Sequence, residues 1–279
     1  MTTTPQRPIV LAITGASGAA YAVRLLQQLL LANQSIHLII SPSGAAVISQ
    51  ELGIEVGQTR ERIQTLLRYA WPSTIAGSPI AGSQPTDSHI ATSNSESTSS
   101  NHAGGNPASG NPASANPAGG RVWKPLTSEE VERVVPNLHV YDYRNFFTPV
   151  ASGSFRTAAM IICPCSGATL SGVVHAAGNN LIQRAADVHL KEHRKLILVP
   201  RETPLSVFQL ENMTRAAQAG AILMPAMPGW YHGVQTPVDL IDFVVSRILD
   251  HLDIEHSLMK RWGADHPGLN PEHLRSGEA

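Results

Sequence analysis

Five consecutive apolar residues, Ile9-Val10-Leu11-Ala12-Ile13, run straight into a turn of small residues, Thr14-Gly15-Ala16-Ser17-Gly18. Helical apolar spacing then begins at Tyr21 and continues to Leu31. An unbroken apolar run ahead of a glycine turn reads as a strand buried on both faces, the condition of a parallel sheet. A strand–turn–helix unit aims the unpaired N–H groups and the positive end of the helix dipole at whatever lies above the turn, which suits a phosphate. Gly15 and Gly18 permit close backbone approach, and Ser17 adds a hydroxyl donor. The plainer alternative is a small-residue turn that serves only to pack helix against strand.

The glycine spacing is not the dinucleotide fingerprint. That fingerprint also needs an acid about 20 residues further on, to hold a ribose hydroxyl. Here the second predicted strand, 36–40, ends in Ser41-Pro42-Ser43, and no acid follows before Glu51. NAD is disfavoured; a mononucleotide or another small phosphate remains.

Composition narrows the class further. The chain has 279 residues, of which 42% are hydrophobic, enough for one sizeable core. Its 20 basic and 21 acidic residues nearly cancel, so no global field recruits nucleic acid or acidic membranes. The apolar runs are too short to span a bilayer, and the start carries no apolar stretch of signal-peptide type. The two cysteines, Cys163 and Cys165, flank one proline and form no zinc pattern, which points to a reducing cytoplasm and no metal.

Strand and helix patterns alternate: strands at 9–13, 36–40, 158–163, 195–200 and 221–225, and helices at 17–32, 43–52, 167–177, 181–193, 206–219 and 237–251. That alternation predicts an α/β fold, a flavodoxin/Rossmann-like three-layer sandwich around a mostly parallel sheet. Residues 73–120 are almost entirely Ser, Ala, Gly, Asn, Pro and Thr. They cannot bury enough apolar surface to offset ordering entropy, and they read as a disordered insertion in a single domain spanning 1–262. Residues 263–279 form a tail. A helix at 59–70 and another opened by the capping-box spacing of Thr127-Ser128-Glu129-Glu130 flank the insertion.

Ligands in such sheets sit beyond the carboxyl ends of the strands. The residues found there are Gly15 to Ser17, Ser41, then Ser166-Gly167-Ala168-Thr169, then Arg201-Glu202, then Trp230-Tyr231. Hydroxyls, an arginine and a tyrosine on one rim suit an anion and a ring system. Elsewhere, Arg184, Asp187 and Lys191 share one helical face, the usual spacing of an exposed ion-pair ladder. His189-Leu190-Lys191-Glu192-His193 matches a zinc-protease pattern but closes its helix, where polar side chains meet the dipole favourably, so no metal site is assigned to it. There is no paired-aspartate run for magnesium, so any phosphate must be neutralised by arginine and lysine.

These stretches, with Ser152-Gly153-Ser154-Phe155, Pro164-Cys165-Ser166, Arg184-Ala185-Ala186-Asp187-Val188, Arg201-Glu202-Thr203-Pro204-Leu205 and Trp230-Tyr231-His232, resemble the UbiX-type flavin prenyltransferases of the flavodoxin-like flavoprotein superfamily. The resemblance runs from about Pro8 to Trp262, the insertion apart. It implies that Gly15, Ala16, Ser17, Ser41, Ser166, Gly167, Ala168, Thr169 and Arg201 hold FMN. It implies that Ser152, Gly153, Arg184, Lys191, Glu202, Tyr231 and Arg247 surround the phosphate of dimethylallyl monophosphate, several of them from neighbouring subunits of a homo-oligomer, typically a dodecamer. The insertion is far longer than the family's usual connection, and Ala168 replaces a longer side chain.

The implied reaction joins a dimethylallyl group to N5 and C6 of reduced FMN without metal, making prenylated FMN for a UbiD-type decarboxylase in the cytoplasm. Glu202 would relay protons, Ser17 would position flavin N5, Lys191 and Tyr231 would hold the leaving phosphate, and Trp262 would lend a π face or act as a packing anchor. Two other readings stay open: a flavin-dependent decarboxylase acting directly on an aromatic acid, and a non-catalytic FMN carrier.

Overall fold

A computed structural model describes residues 7–57, 60–72 and 121–259. The low-complexity insertion 73–120, the tail 263–279 and Trp262 therefore lie outside the described residues.

Six strands form one sheet: β1 (Ile9–Ile13), β2 (Ile36–Ile40), β3 (Leu138–Tyr141), β4 (Ala159–Cys165), β5 (Lys195–Pro200) and β6 (Ile222–Leu223). Every pairing is parallel, in the order β3-β2-β1-β4-β5-β6. The order reverses direction between β1 and β4, and that switch point is where open α/β sheets place ligands.

The alternating direction of strand side chains builds the three layers. Ile9, Leu11 and Ile13 face a core shared with α1 (Ala19–Leu31) and α8 (Pro237–His251). Val10 and Ala12 face a second core shared with α5 (Gly167–Val174) and α6 (Leu181–Lys191). Both faces of β1 and β4 are buried, which is why their sequences read as unbroken apolar runs.

Four further α-helices lie among the described residues: α2 (Pro42–Leu52), α3 (Arg60–Leu67), α4 (Ser128–Val134) and α7 (Val207–Gln218). The capping box expected at Thr127 is present, with Thr127 Oγ1 accepting from the Glu130 N–H at 3.2 Å and Glu130 Oε2 accepting from the Thr127 N–H at 2.8 Å. β3 was not expected. It is a four-residue edge strand, only partly buried, and so carries no apolar run.

The two stems of the insertion meet on α1. The Gln27 side-chain amide donates to the carbonyls of Leu66, Leu67 and Tyr69 and accepts from Trp123 Nε1 at 2.6 Å. Trp123 also meets Tyr69 edge-on, stacks with Trp71 and lies under the Arg24 guanidinium. Arg24 in turn pairs with Asp242 of α8 at 2.7 Å.

Candidate functional site

One hydroxyl ties the switch point together. Thr14 Oγ1 donates to the Pro164 carbonyl at 2.7 Å and accepts from the Ser166 N–H at 2.8 Å, so the turns after β1 and β4 are fixed to each other. Thr14 is 1% exposed. In the sequence its one signal is its position as the first polar residue after an apolar strand.

Around this joint the expected flavin residues converge. Ser166 caps α5, accepting from the Thr169 N–H at 3.3 Å and donating to Thr169 Oγ1 at 3.0 Å. Ser41 caps α2, accepting from the Gly44 N–H at 3.0 Å. A Cβ on Gly15 would lie 2.6 Å from Ser43 Cβ, and one on Gly44 would lie 2.6 Å from the Ile13 carbonyl oxygen. Both glycines are thus needed to bring the α2 N-terminus against the β1 turn. From the far side, Arg201 Nε donates to the Ser17 carbonyl at 3.1 Å, linking the β5 turn to the β1 turn. Ala16 is buried beneath the turn, while Ser17 and Ala168 are exposed. Two helix N-termini, a ring of hydroxyls and one guanidinium fit a phosphomonoester with an attached polar ring.

The third helix N-terminus corrects an expectation. The free N–H groups of α1 do not face an open anion seat. The Glu51 carboxylate accepts from the Gly18 N–H at 3.0 Å and from the Ala19 N–H at 2.8 Å. Gly18, at φ 114°, offers no capping side chain, so a carboxylate from the last turn of α2 supplies the cap. α2 therefore braces the glycine turn at both its ends. Glu51 is the first acid after β2, too late in the chain for a ribose contact.

The residues expected around the donor phosphate do not all gather at one end of the sheet within one chain. Arg201, Glu202 and Tyr231 follow the carboxyl ends of β5 and β6. Lys191 instead closes α6 and Glu192–Arg194 lead into the amino end of β5, with Arg194 Nη1 donating to the Phe155 carbonyl at 2.7 Å and Nη2 to the Gly153 carbonyl. Six strand residues span roughly 17–20 Å, too far for one phosphate to touch both ends. Ser152 and Gly153 belong to this remote group. Arg184 lies on α6, donating to the Ala151 carbonyl at 3.1 Å and pairing with Asp187 at 3.3 Å. Arg247, on the outer face of α8, pairs with Asp250 at 2.8 Å, one turn from His251, whose carbonyl accepts from Lys195 at the start of β5.

Tyr231 is 68% exposed yet firmly seated. Its ring stands edge-on to His232 and to Phe243, which are themselves stacked at 5.3 Å and 14°. A Cβ on Gly229 would lie 2.8 Å from the Tyr231 ring, so the glycine makes room for it. Both His232 ring nitrogens are buried; burial lowers the basicity of the ring, opposed by the backbone and carboxylate of the neighbouring Asp239. His189, in the declined zinc pattern, has both nitrogens engaged, by Ala185 O at 2.7 Å and Thr157 Oγ1 at 2.8 Å. Burial raises the thiols of Cys163 and Cys165 far above the ordinary range, so neither is a reactive thiolate.

The class to which this fold and rim belong is that of the flavoproteins: a family model described as "Flavoprotein" matches residues 1–249. Among individual proteins, the chain is 35% identical over 92% of its length, and 97% of the relative's, to a flavin prenyltransferase UbiX from Alkalihalophilus pseudofirmus. A crystal structure of a UbiX protein (PadA1) in complex with FMN and dimethylallyl pyrophosphate aligns over 92% of this chain and 97% of that one, with 30% identity and a TM-score of 0.61. A dodecameric FMN-dependent UbiX-like decarboxylase from Escherichia coli O157:H7 aligns over 89% and 96%, with 28% identity and a TM-score of 0.58. The chain belongs to the UbiX family of flavin prenyltransferases.

Proposed function

We propose that this flavin prenyltransferase transfers a dimethylallyl group from dimethylallyl monophosphate to N5 and then C6 of reduced FMN, at a site completed by neighbouring copies of the chain. The observation that carries the reading is the convergence of Thr14–Ser17, Ser41, Ser166–Thr169 and Arg201 on one switch point, in a chain matched along nearly its whole length to UbiX proteins.

In the first bond exchange, flavin N5 supplies the electron pair for the new C–N bond while the allylic C–O bond breaks and its pair leaves with phosphate. Separating an allylic cation-like fragment from a phosphate is the costly part. Opposite unit charges at 4 Å attract by about 1 kcal/mol in water but by about 4 kcal/mol at an effective dielectric of 20. Guanidinium and ammonium groups fixed in a closed site therefore stabilise the departing phosphate without a metal. Arg184, Lys191 and Arg247 take that role, with Ser152 and Gly153 completing the cradle and Tyr231 donating from the rim. Glu202 is exposed beside Arg201, where it moves the proton released on closure at C6. Ser17 holds the N5 edge, and Trp262 is assigned to the cationic fragment.

Because Lys191 lies at the wrong end of β5 to serve its own chain's rim, it is assigned to the rim of a neighbour. The described residues also include exposed large apolar groups, Phe147 (101%), Phe208 (76%) and Trp230 (63%), of the kind that other copies cover. A dodecamer is the assembly assigned, and a UbiD-type decarboxylase in the cytoplasm is the assigned recipient of prenylated FMN. Two buried free thiols suit that compartment.

Anaerobic incubation with reduced FMN and dimethylallyl monophosphate should yield a flavin heavier by one prenyl unit; an unchanged flavin mass sinks the assignment. Release of carbon dioxide from an aromatic acid by the purified protein alone would favour the decarboxylase reading instead. Lys191→Ala and Glu202→Gln should each be inactive. Refolding them together should restore turnover, because some mixed interfaces then carry both intact residues. No recovery on mixing would place both residues in the same subunit's site.

A further inference from the structure

The loop between β6 and α8 carries Trp230 and Tyr231, and one carboxylate in the first turn of α8 gathers the end of that loop. Asp239 is 5% exposed. Its Oδ2 accepts from the Gln235 N–H at 3.0 Å, the Thr236 N–H at 2.8 Å and Thr236 Oγ1 at 3.0 Å. Its Oδ1 lies 3.6 Å from Arg121 Nε. The backbone and carboxylate of Asp239 also act on the His232 ring. His232 stacks on Phe243, one turn beyond Asp239 on the same helix, and Tyr231 stands edge-on to both rings. The tyrosine is therefore seated by two rings, one carried on α8 and the other beside Asp239.

One accepted hydrogen bond is enough to cap a helix. Three donors and a guanidinium on one buried carboxylate do more, because an ionised carboxylate short of partners is costly away from water. The loop is thus held to the path that brings Gln235, Thr236 and His232 to Asp239. We propose that Asp239 is a positioning residue for prenyl transfer, fixing the loop that presents the Tyr231 phenol to the donor phosphate. The proposal rests on the reading of Tyr231 as a donor-phosphate ligand, and it adds a residue that acts through Tyr231 rather than on the donor.

The test is a double-mutant cycle on the full-length protein, read as anaerobic turnover with reduced FMN and dimethylallyl monophosphate. Tyr231→Phe, which removes only the hydroxyl, and Asp239→Ala should each lower kcat/KM for the donor by about tenfold or more. FMN affinity should stay within about twofold of wild type, since no partner of Asp239 belongs to the flavin set. The double variant should fall no more than about twofold below the less active single variant, because a misplaced phenol and an absent one forfeit the same contact. Asp239→Asn should recover part of the loss, as its amide oxygen still accepts from the Gln235 and Thr236 N–H groups. Losses that multiply in the double variant would make Asp239 a helix cap independent of Tyr231 and overturn the proposal, as would wild-type kcat/KM in Asp239→Ala. A fully active Tyr231→Phe would instead remove the assignment of Tyr231 itself, and the proposal with it. If Asp239→Ala does not fold, Asp239→Asn replaces it in the cycle: a loss that vanishes in the Tyr231→Phe background supports the proposal. A multiplying loss, or none, in that cycle overturns it.

Discussion

Glu51 does at one residue what the glycine turn cannot do for itself. Its carboxylate satisfies the Gly18 and Ala19 N–H groups and meets the positive end of α1. Glu51→Ala should cost about 1 kcal/mol in urea unfolding, the usual worth of an N-terminal cap, with Glu51→Gln losing less because the amide oxygen still accepts. No measurable change in the alanine variant would show that water caps the helix equally well. His232 balances two opposed effects: burial disfavours the charged ring, while the Asp239 backbone and carboxylate beside it favour that form. His232→Phe removes both the desolvation cost and the Asp239 interaction, so it should change the unfolding free energy by less than about 1 kcal/mol while keeping the stack on Phe243. A loss of several kcal/mol in urea unfolding would show that the Asp239 interaction dominates. Neither effect is legible in the sequence: capping across 33 positions and the surroundings of a buried ring are properties of the folded chain.

Among elements, β2 and β3 show where periodicity stops informing. β2 carries an apolar run and was legible, whereas Leu138-His139-Val140-Tyr141 is short, half-exposed and mixed in polarity, as an edge strand can be. Its pairing with β2 puts His37 opposite His139, with the rings stacked at 4.8 Å, and Tyr141 Oη lies 2.8 Å from His37 Nδ1. Burial first, and His139 second, lower the His37 pKa to about 4, against about 6.5 in an unfolded chain. Between those values the unfolded state binds the extra proton and the folded state does not. Stability contributed by this position therefore falls as pH drops from about 6.5 toward about 4. Unfolding free energies measured across that window should slope accordingly, and His37→Phe should flatten the slope; an identical slope in the variant would assign it to other groups.

Over the whole molecule, the Gln27 and Trp123 clasp closes the fold beneath the insertion, with the Leu126 N–H also reaching the Leu67 carbonyl at 3.2 Å. The domain is accordingly expected to be complete without residues 73–120. Replacing those 48 residues by about 6 of Gly and Ser lowers the loop-closure cost by about 2 kcal/mol, so the shortened chain should be at least as stable and should bind FMN unchanged. Loss of flavin binding would instead assign the insertion a part in the site. Gln27→Ala should do the reverse: it strands buried carbonyls and the Trp123 indole N–H, at a cost of about 3 kcal/mol in thermal or urea unfolding.

The sequence by itself determined the layers, the parallel sheet and the rim, because burial on both faces forces apolar runs, and because small and hydroxylic residues must follow the strands wherever a ligand approaches the backbone. Its family motifs also named the cations expected around the donor phosphate. Only the tertiary structure decided which end of the sheet each group occupies. Lys191 and Arg201 are ten positions apart in the chain, but one strand runs between them and carries the two to opposite ends of the sheet. Conversely, Thr14 and Ser166 are 152 positions apart and share a hydrogen bond. Sequence distance sets which residues are available, but strand direction and packing set which of them meet.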